Sequence, residues 1–184
     1  IELQFTQFFK TITYLYVIII IQLMSIESED KSLKWIMIIS FIGLIDAIYL
    51  SYLHHLVSAG AGCPTQDLPG LDCGVVLASD QAKLFGIPVA WLGVVGFLML
   101  IALSLDRYLN MDLERTYYNK ILLPITGIIG VVFGSYLTYA EAFIIHEWCP
   151  FCVVAFILTI AATFFCITES VSYTHLTLPT IGYV

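Results

Sequence analysis

Trp35–Val57 reads WIMIISFIGLIDAIYLSYLHHLV, and this stretch decides the fold. Its only Asp, Glu, Lys or Arg side chain is Asp46. A helix needs about 18 or more apolar residues to cross roughly 30 Å of hydrocarbon, and the stretch is long enough. Runs of the same kind follow at Ile87–Leu105, Ile121–Phe143 and Pro150–Ile167, and one precedes it at Phe8–Ile26. The composition agrees: 60% of the residues are hydrophobic and 11% charged, whereas a soluble domain is roughly half apolar and a quarter charged. Mean hydropathy is +0.94. The chain therefore reads as an all-α membrane protein. Its net charge of −7 comes mostly from acids in loops and termini, and it offers no basic surface to a nucleic acid.

The spans are joined by short polar connectors and by one long one, Ser58–Phe85, rich in Gly, Pro and Asp, which is loop chemistry. Orientation follows from the lysines and arginines, which collect on the cytoplasmic side. Lys31 and Lys34 precede the Trp35 span, and Arg107, Arg115 and Lys120 fill the connector between Leu105 and Ile121. The long loop carries only Lys83, so it faces outward, as does the turn Ile144–Trp148.

Both ends stand apart. Met24-Ser25-Ile26-Glu27-Ser28-Glu29-Asp30-Lys31 reads like a natural start, so residues 1–23 are either an extra helix or upstream sequence, the second being preferred. Residues 171–184 read as a non-native tail, because Val171–Thr180 resembles a translated sequencing adapter; such segments are set aside in fold reasoning. The expectation is a four-helix transmembrane bundle core over residues 24–170 with an outward cysteine-bearing loop, plus one extra N-terminal span of doubtful origin.

The chain has five cysteines. Cys63, Cys73, Cys149 and Cys152 fall on the outer side, where an oxidising compartment lets disulfides persist. Cys166 lies deep in the last span and reads as a small buried apolar residue. Cys149-Pro150-Phe151-Cys152 is the sharpest motif. It sits where a loop becomes a helix, and Pro150 suits the first helical position because it has no amide hydrogen to leave unpaired. Free N–H groups and the positive end of the helix dipole stabilise a thiolate there, the reactive form of a cysteine. The bland alternatives are a structural disulfide or half a zinc site. Cys63 and Cys73, in a loop facing the CxxC, make a relay by thiol–disulfide exchange plausible. They would equally serve as a staple on a short loop, adding roughly 2–3 kcal/mol.

The combination resembles the vitamin K epoxide reductase family in its bacterial form. The matching features are the loop pair Cys63 and Cys73, Ser79 soon after, Phe85-Gly86-Ile87-Pro88 opening a span, Gly134-Ser135 within the next, and Cys149-Pro150-Phe151-Cys152 at the last; together they cover about Trp35–Ile167. The resemblance implies a four-helix bundle around a quinone of the ubiquinone, menaquinone or phylloquinone type, capped by the cysteine loop. It implies that Cys63 accepts electrons from a periplasmic or extracytoplasmic thioredoxin-like (DsbA-like) partner and that Cys149 exchanges with Cys73. Cys152 would face the quinone and reduce it, with Ser79 near the head group. It implies a multi-pass protein of the bacterial cytoplasmic membrane that generates protein disulfides. Ser79 also reads as a helix cap. The residues with which animal members recognise vitamin K are not evident after Cys152, so quinone reduction is preferred to epoxide reduction.

The DsbB type of membrane enzyme has similar chemistry but places its CxxC before the separated pair, the reverse of the order here. A metal-binding protein using these cysteines with His54, His55 or His146 would want closer ligand spacing. A purely structural subunit would leave the CxxC unexplained. Asp46, inside a span, is costly there and hence a functional candidate; a hydrogen bond to Ser40 or a neighbouring helix is the equal alternative. Glu141, His146 and Glu147 flank the CxxC at the interface, and His146 reads as a solvated loop residue. His54 and His55 read as interfacial polar ends. Trp91, Tyr139 and Trp148 read as interface anchors or pocket walls.

Overall fold

In hydrocarbon no water satisfies the backbone, so an apolar run must bond its N–H and C=O groups within itself, and the helix does this. The computed structural model describes residues 31–60, 62–65, 70–84, 86–109 and 116–174. The apolar runs form α1 (Lys31–Ser58), α3 (Val89–Leu109), α4 (Thr116–Ala140) and α5 (Pro150–Thr174), with a short α2 (Cys73–Ala78) in the long loop. Among the described residues, four helices are long and apolar enough to cross a membrane. The chain is an all-α membrane bundle and a multi-pass membrane protein. The expected span at Phe8–Ile26, Arg115 and residues 175–184 lie outside the described residues; α5 itself runs past Ser170 to Thr174.

The four long helices run up and down in chain order, α1 packing on α3 and α5 and α4 on α5, with α3–α4 the loosest seam. Their cores form two clusters along the bundle. One joins Leu33, Ile36, Leu44 and Ala47 of α1 to Val94, Phe97 and Leu100 of α3, Leu123 of α4, and Ala162 and Cys166 of α5. Cys166 is a buried member of that cluster, as its apolar surroundings in the sequence suggested. The other cluster joins Leu50 and Leu53 to the cysteine loop. At the end away from the cysteines, Arg107 of α3 pairs with Glu169 of α5 at 3.1 Å, both buried, and Asn119 of α4 donates to Asp106 of α3 at 2.5 Å.

Between the long loop and α3 the chain turns back through a 3-10 turn, Asp80–Ala82, and a two-stranded ribbon, β1 (Lys83–Leu84) paired antiparallel with β2 (Ile87–Pro88). Gly86 at φ 81° makes the reversal between the strands, a conformation glycine adopts without penalty. Within the membrane, where lipid is as apolar as the side chains, helix association depends on close packing at small residues. Along α4 these are Gly127, Gly130 and Gly134, which face Thr163, Thr159 and Phe156 of α5. A Cβ at 127 would stand 2.6 Å from Thr163 Oγ1. Gly127→Val is therefore expected to destabilise the α4–α5 seam by about 1–3 kcal/mol, the usual cost of overpacking. Gly96→Val, with open space where its Cβ would go, should leave stability unchanged. Thermal unfolding midpoints in detergent compare the two.

Candidate active site

The α4–α5 corner sets the geometry. After Ala140 the helix widens into a π-turn, Glu141–Ile145, and ends on His146 in the left-handed conformation at φ 60°. Turns of this kind interrupt helices frequently at functional sites. The chain then re-enters the bundle at Cys149, the residue before α5, whose carbonyl accepts the first α5 hydrogen bond, from Val153 N–H (3.1 Å). Its sulfur accepts Cys152 N–H at 3.3 Å. This is the N-cap bond usually made by a hydroxyl or carboxylate, made here by sulfur. Pro150 occupies the first helical position, as its missing amide hydrogen allows.

Two further bonds hold this corner in place. Cys149 N–H donates to Glu141 Oε2 at 3.3 Å, and Trp148 N–H donates to the Gly70 carbonyl of the long loop at 3.3 Å. The Glu141 carboxyl also lies within electrostatic reach of the Cys152 thiol. Glu141 is only 3% exposed, so it is part of the buried site rather than the interfacial flank expected from its place at the end of an apolar run. His146 is exposed and Glu147 half-buried.

The loop side is built around Cys73, the first residue of α2. Asp72 caps that helix, its Oδ1 accepting Gly74 N–H (2.8 Å) and Val75 N–H (3.2 Å), and Thr65 Oγ1 accepts Cys73 N–H (3.3 Å). Cys63 and Cys73 form a disulfide, with Cα atoms 6.0 Å apart, within the usual span for such a bridge. Cys149 and Cys152 carry free sulfurs 2.6 Å apart. Cys63, Cys73 and Cys149 are buried in one apolar cluster with Leu50, Leu53, Val76 and Leu77, against which Cys152 packs. Tyr49 of α1 meets the Phe151 ring edge to face at 5.1 Å, fixing the motif against the first helix. The fold thus gathers all four sequence-selected cysteines.

A cavity of about 500 Å³ lies beside this cluster, within the range of small-molecule sites. Of the four cysteines only Cys152 lines it. His54, Ser79, Gln81 and Glu141 also face it, while its farther reaches are walled by residues such as Leu100, Ile129, Phe133 and Phe156. Thr126, Thr138 and Thr159 lie on the wall too, but their hydroxyls donate to carbonyls of their own helices at 2.8–3.0 Å, leaving apolar surface toward the cavity. Leu92, Val95 and Met99 of α3 and Ile129 of α4 line the cavity and are themselves exposed. The cavity therefore opens sideways between α3 and α4, on the flank turned to lipid.

Ser79 reaches the cavity wall, and it also ends α2: its hydroxyl donates to the Val76 carbonyl at 2.7 Å. In that rotamer its oxygen can accept but not donate toward the cavity. His54, read from sequence as an interfacial end, is buried and faces the cavity, whereas His55 is exposed. The signal that separates the two histidines is helical phase: His54 continues the row Ala47 and Leu50, all three on the cavity wall. Asp46 is half-buried in α1 with Oδ2 lacking a partner, and Ser40 Oγ likewise, so no bond joins them. Asp46 lies within electrostatic reach of Cys152. Trp91, Tyr139 and Trp148 are exposed and do not line the cavity, a placement that favours lipid or interface contact over pocket walls.

Comparison with known proteins supplies the family. The chain is 27% identical over 129 residues to the thiol-disulfide oxidoreductase LTO1 of Arabidopsis thaliana, an alignment covering 68% of this chain and 33% of that protein. The chain thus spans about a third of the length of this relative. The model of the vitamin K epoxide reductase family matches residues 34–167, all four long helices and both cysteine pairs. This chain belongs to the vitamin K epoxide reductase family.

Proposed function

We propose that the protein is a quinone-dependent, disulfide-forming thiol oxidoreductase. Electrons pass from a thioredoxin-like (DsbA-like) protein through Cys63/Cys73 to Cys149/Cys152, and from there to a bilayer quinone. The observation that carries the reading is the division among the cysteines: Cys152 faces an apolar cavity open to lipid, while the other three lie buried behind it. The relative named for thiol–disulfide exchange points the same way.

The residues present fit a quinone. A ring with two carbonyl oxygens needs a slot with few polar groups, and His54, Ser79, Gln81 and Glu141 supply them beside Cys152. An apolar tail needs a path to lipid, and the α3–α4 opening supplies one. Bound there, a quinone provides an acceptor for two electrons and two protons. The chain's own residues do the rest. A partner dithiol reduces the Cys63–Cys73 disulfide through a mixed disulfide at Cys63. The Cys73 thiolate attacks the Cys149 sulfur of an oxidised CxxC, releasing Cys152. Cys63 then attacks Cys73, which re-forms the loop disulfide and leaves Cys149 and Cys152 as a dithiol. Closure of that dithiol delivers two electrons and two protons to the cavity. Lys31, Lys34 and Arg107 lie at the opposite end of the bundle, so the positive-inside rule places the cysteines on the extracytoplasmic face, in this reading that of a bacterial cytoplasmic membrane.

In detergent or liposomes, with a reduced thioredoxin-like protein and ubiquinone or menaquinone, quinone reduction followed by absorbance is expected for the full chain and abolished by Cys152→Ala. No turnover with either quinone, together with stoichiometric zinc in the protein, would overturn the reading. A second measurement tests the cavity. A small apolar maleimide should modify Cys152 ahead of the buried Cys149 and Cys166, as read by mass spectrometry. A short-chain quinone analogue should slow that modification; equal rates with and without it would place the quinone elsewhere.

A further inference from the structure

Glu141 is an expensive residue in its position. It ends a transmembrane helix, is 3% exposed and, among the described residues, pairs with no cation. A carboxyl at such a site costs several kcal/mol unless it is neutralised or hydrogen-bonded. Its hydrogen-bond partner is Cys149 N–H, and the Cys152 thiol lies within electrostatic reach. It also lines the cavity beside Cys152. The π-turn that begins at this residue is what departs from regular helix here. A purely structural tie to Cys149 N–H would need only a neutral acceptor such as an amide oxygen. The shared place of Glu141 and Cys152 on the cavity wall adds a route for a proton.

We infer that Glu141 is a catalytic proton carrier, taking the Cys152 thiol proton and delivering it to the quinone oxygen. The inference rests on the quinone-reducing reading above. The balance for the half-reaction is complete: the S–H bonds of Cys149 and Cys152 break and one S–S bond forms between them. Two electrons pass to the quinone, and both protons end on its two oxygens. Glu141 carries the first proton from Cys152 and becomes a carboxylate again on delivering it. It then serves the Cys149 proton in turn. Other titratable groups lie near: His54 from α1 lines the cavity with Cys152, Cys149 lies buried beside Cys152, and Asp46 from α1 lies within electrostatic reach of Cys152. The α3 wall contributes no titratable side chain to the cavity lining.

The test is Glu141→Gln in the full chain, which keeps an oxygen acceptor for Cys149 N–H but cannot carry a proton. Quinone reduction should fall by about 10²-fold or more, the usual contribution of a positioned acid or base, with KM for quinone near the wild-type value. The acid limb of the wild-type pH profile should disappear, and Glu141→Asp should restore part of the rate. Transfer of electrons from Cys63/Cys73 to the CxxC, followed without quinone by alkylation of trapped thiols, should continue at the wild-type rate. A Glu141→Gln rate equal to wild type, or an equal loss in both half-reactions with an unchanged pH profile, would overturn the inference. If wild type itself reduces no quinone, the proposed function has failed and the inference with it. Wild-type turnover beside an unaffected Glu141→Gln sinks the inference alone.

Discussion

The bond from Cys149 N–H to the Glu141 carboxyl is the constraint on which the site depends. Hydrocarbon forces the spans into helices, because only an internally bonded backbone survives there. Helix ends still leave N–H and C=O groups without partners, and the α4–α5 corner brings two such ends together at the site. Glu141 satisfies one of them, the Cys149 sulfur another, and the Gly70 carbonyl a third, on Trp148. Each of these bonds fixes one part of the candidate site. The first fixes Cys149 at the start of α5, the second holds the two sulfurs side by side, and the third ties the cysteine loop over them. The capping of the helix and the assembly of the active site are the same set of contacts.

Much of this was legible in the sequence because membrane helices leave a coarse signal. Trp35–Val57 became Lys31–Ser58, and Ile87–Leu105 became Val89–Leu109, differing only at ends where charged or turn residues continue or cut the helix. The short strand pair escaped notice because four residues around Gly86 carry too little pattern to read. The cysteines stood out because their spacing and their place at a helix start are chemical signals independent of packing. Glu141 and His54 did not. Each lies within a turn or two of a span end, where polar residues are ordinarily solvated. Whether such a residue faces water or the bundle depends on helical phase, and Glu141 continues the row of Gly134, Leu137 and Thr138 on the cavity wall. Asp46 is the opposite case. Its depth was evident, but Ser40 is six positions away on a different face of the helix, so the bond between them does not form.

Ser79 shows how a residue can satisfy two readings together. As the cap of α2 it has a structural task, with its hydrogen given to Val76. As part of the cavity wall it presents an oxygen beside the CxxC. The oxygen keeps its acceptor lone pairs while the hydroxyl donates to Val76, so the two placements do not compete. Asp72 and Thr65 carry no such duality: they hold the start of α2, and with it Cys73, against the bundle.

The loose α3–α4 seam completes the physical logic. Three seams pack closely, and the glycine row of α4 shows how tightly one of them is drawn. A fourth seam packed as well would close the cavity to lipid and leave Cys152 facing nothing. The threonines along the wall give their hydrogens to their own helices, so the cavity is apolar along its length and polar only where the cysteines are. In the proposed reading, a ligand with an oxygenated ring and a hydrocarbon tail meets matching surface with its ring toward Cys152. Water meets an apolar path from the membrane side and a packed, disulfide-closed loop from the other. In the proposed reading, thiol exchange stays among four sulfurs that share one apolar cluster, where proximity rather than concentration sets the rate.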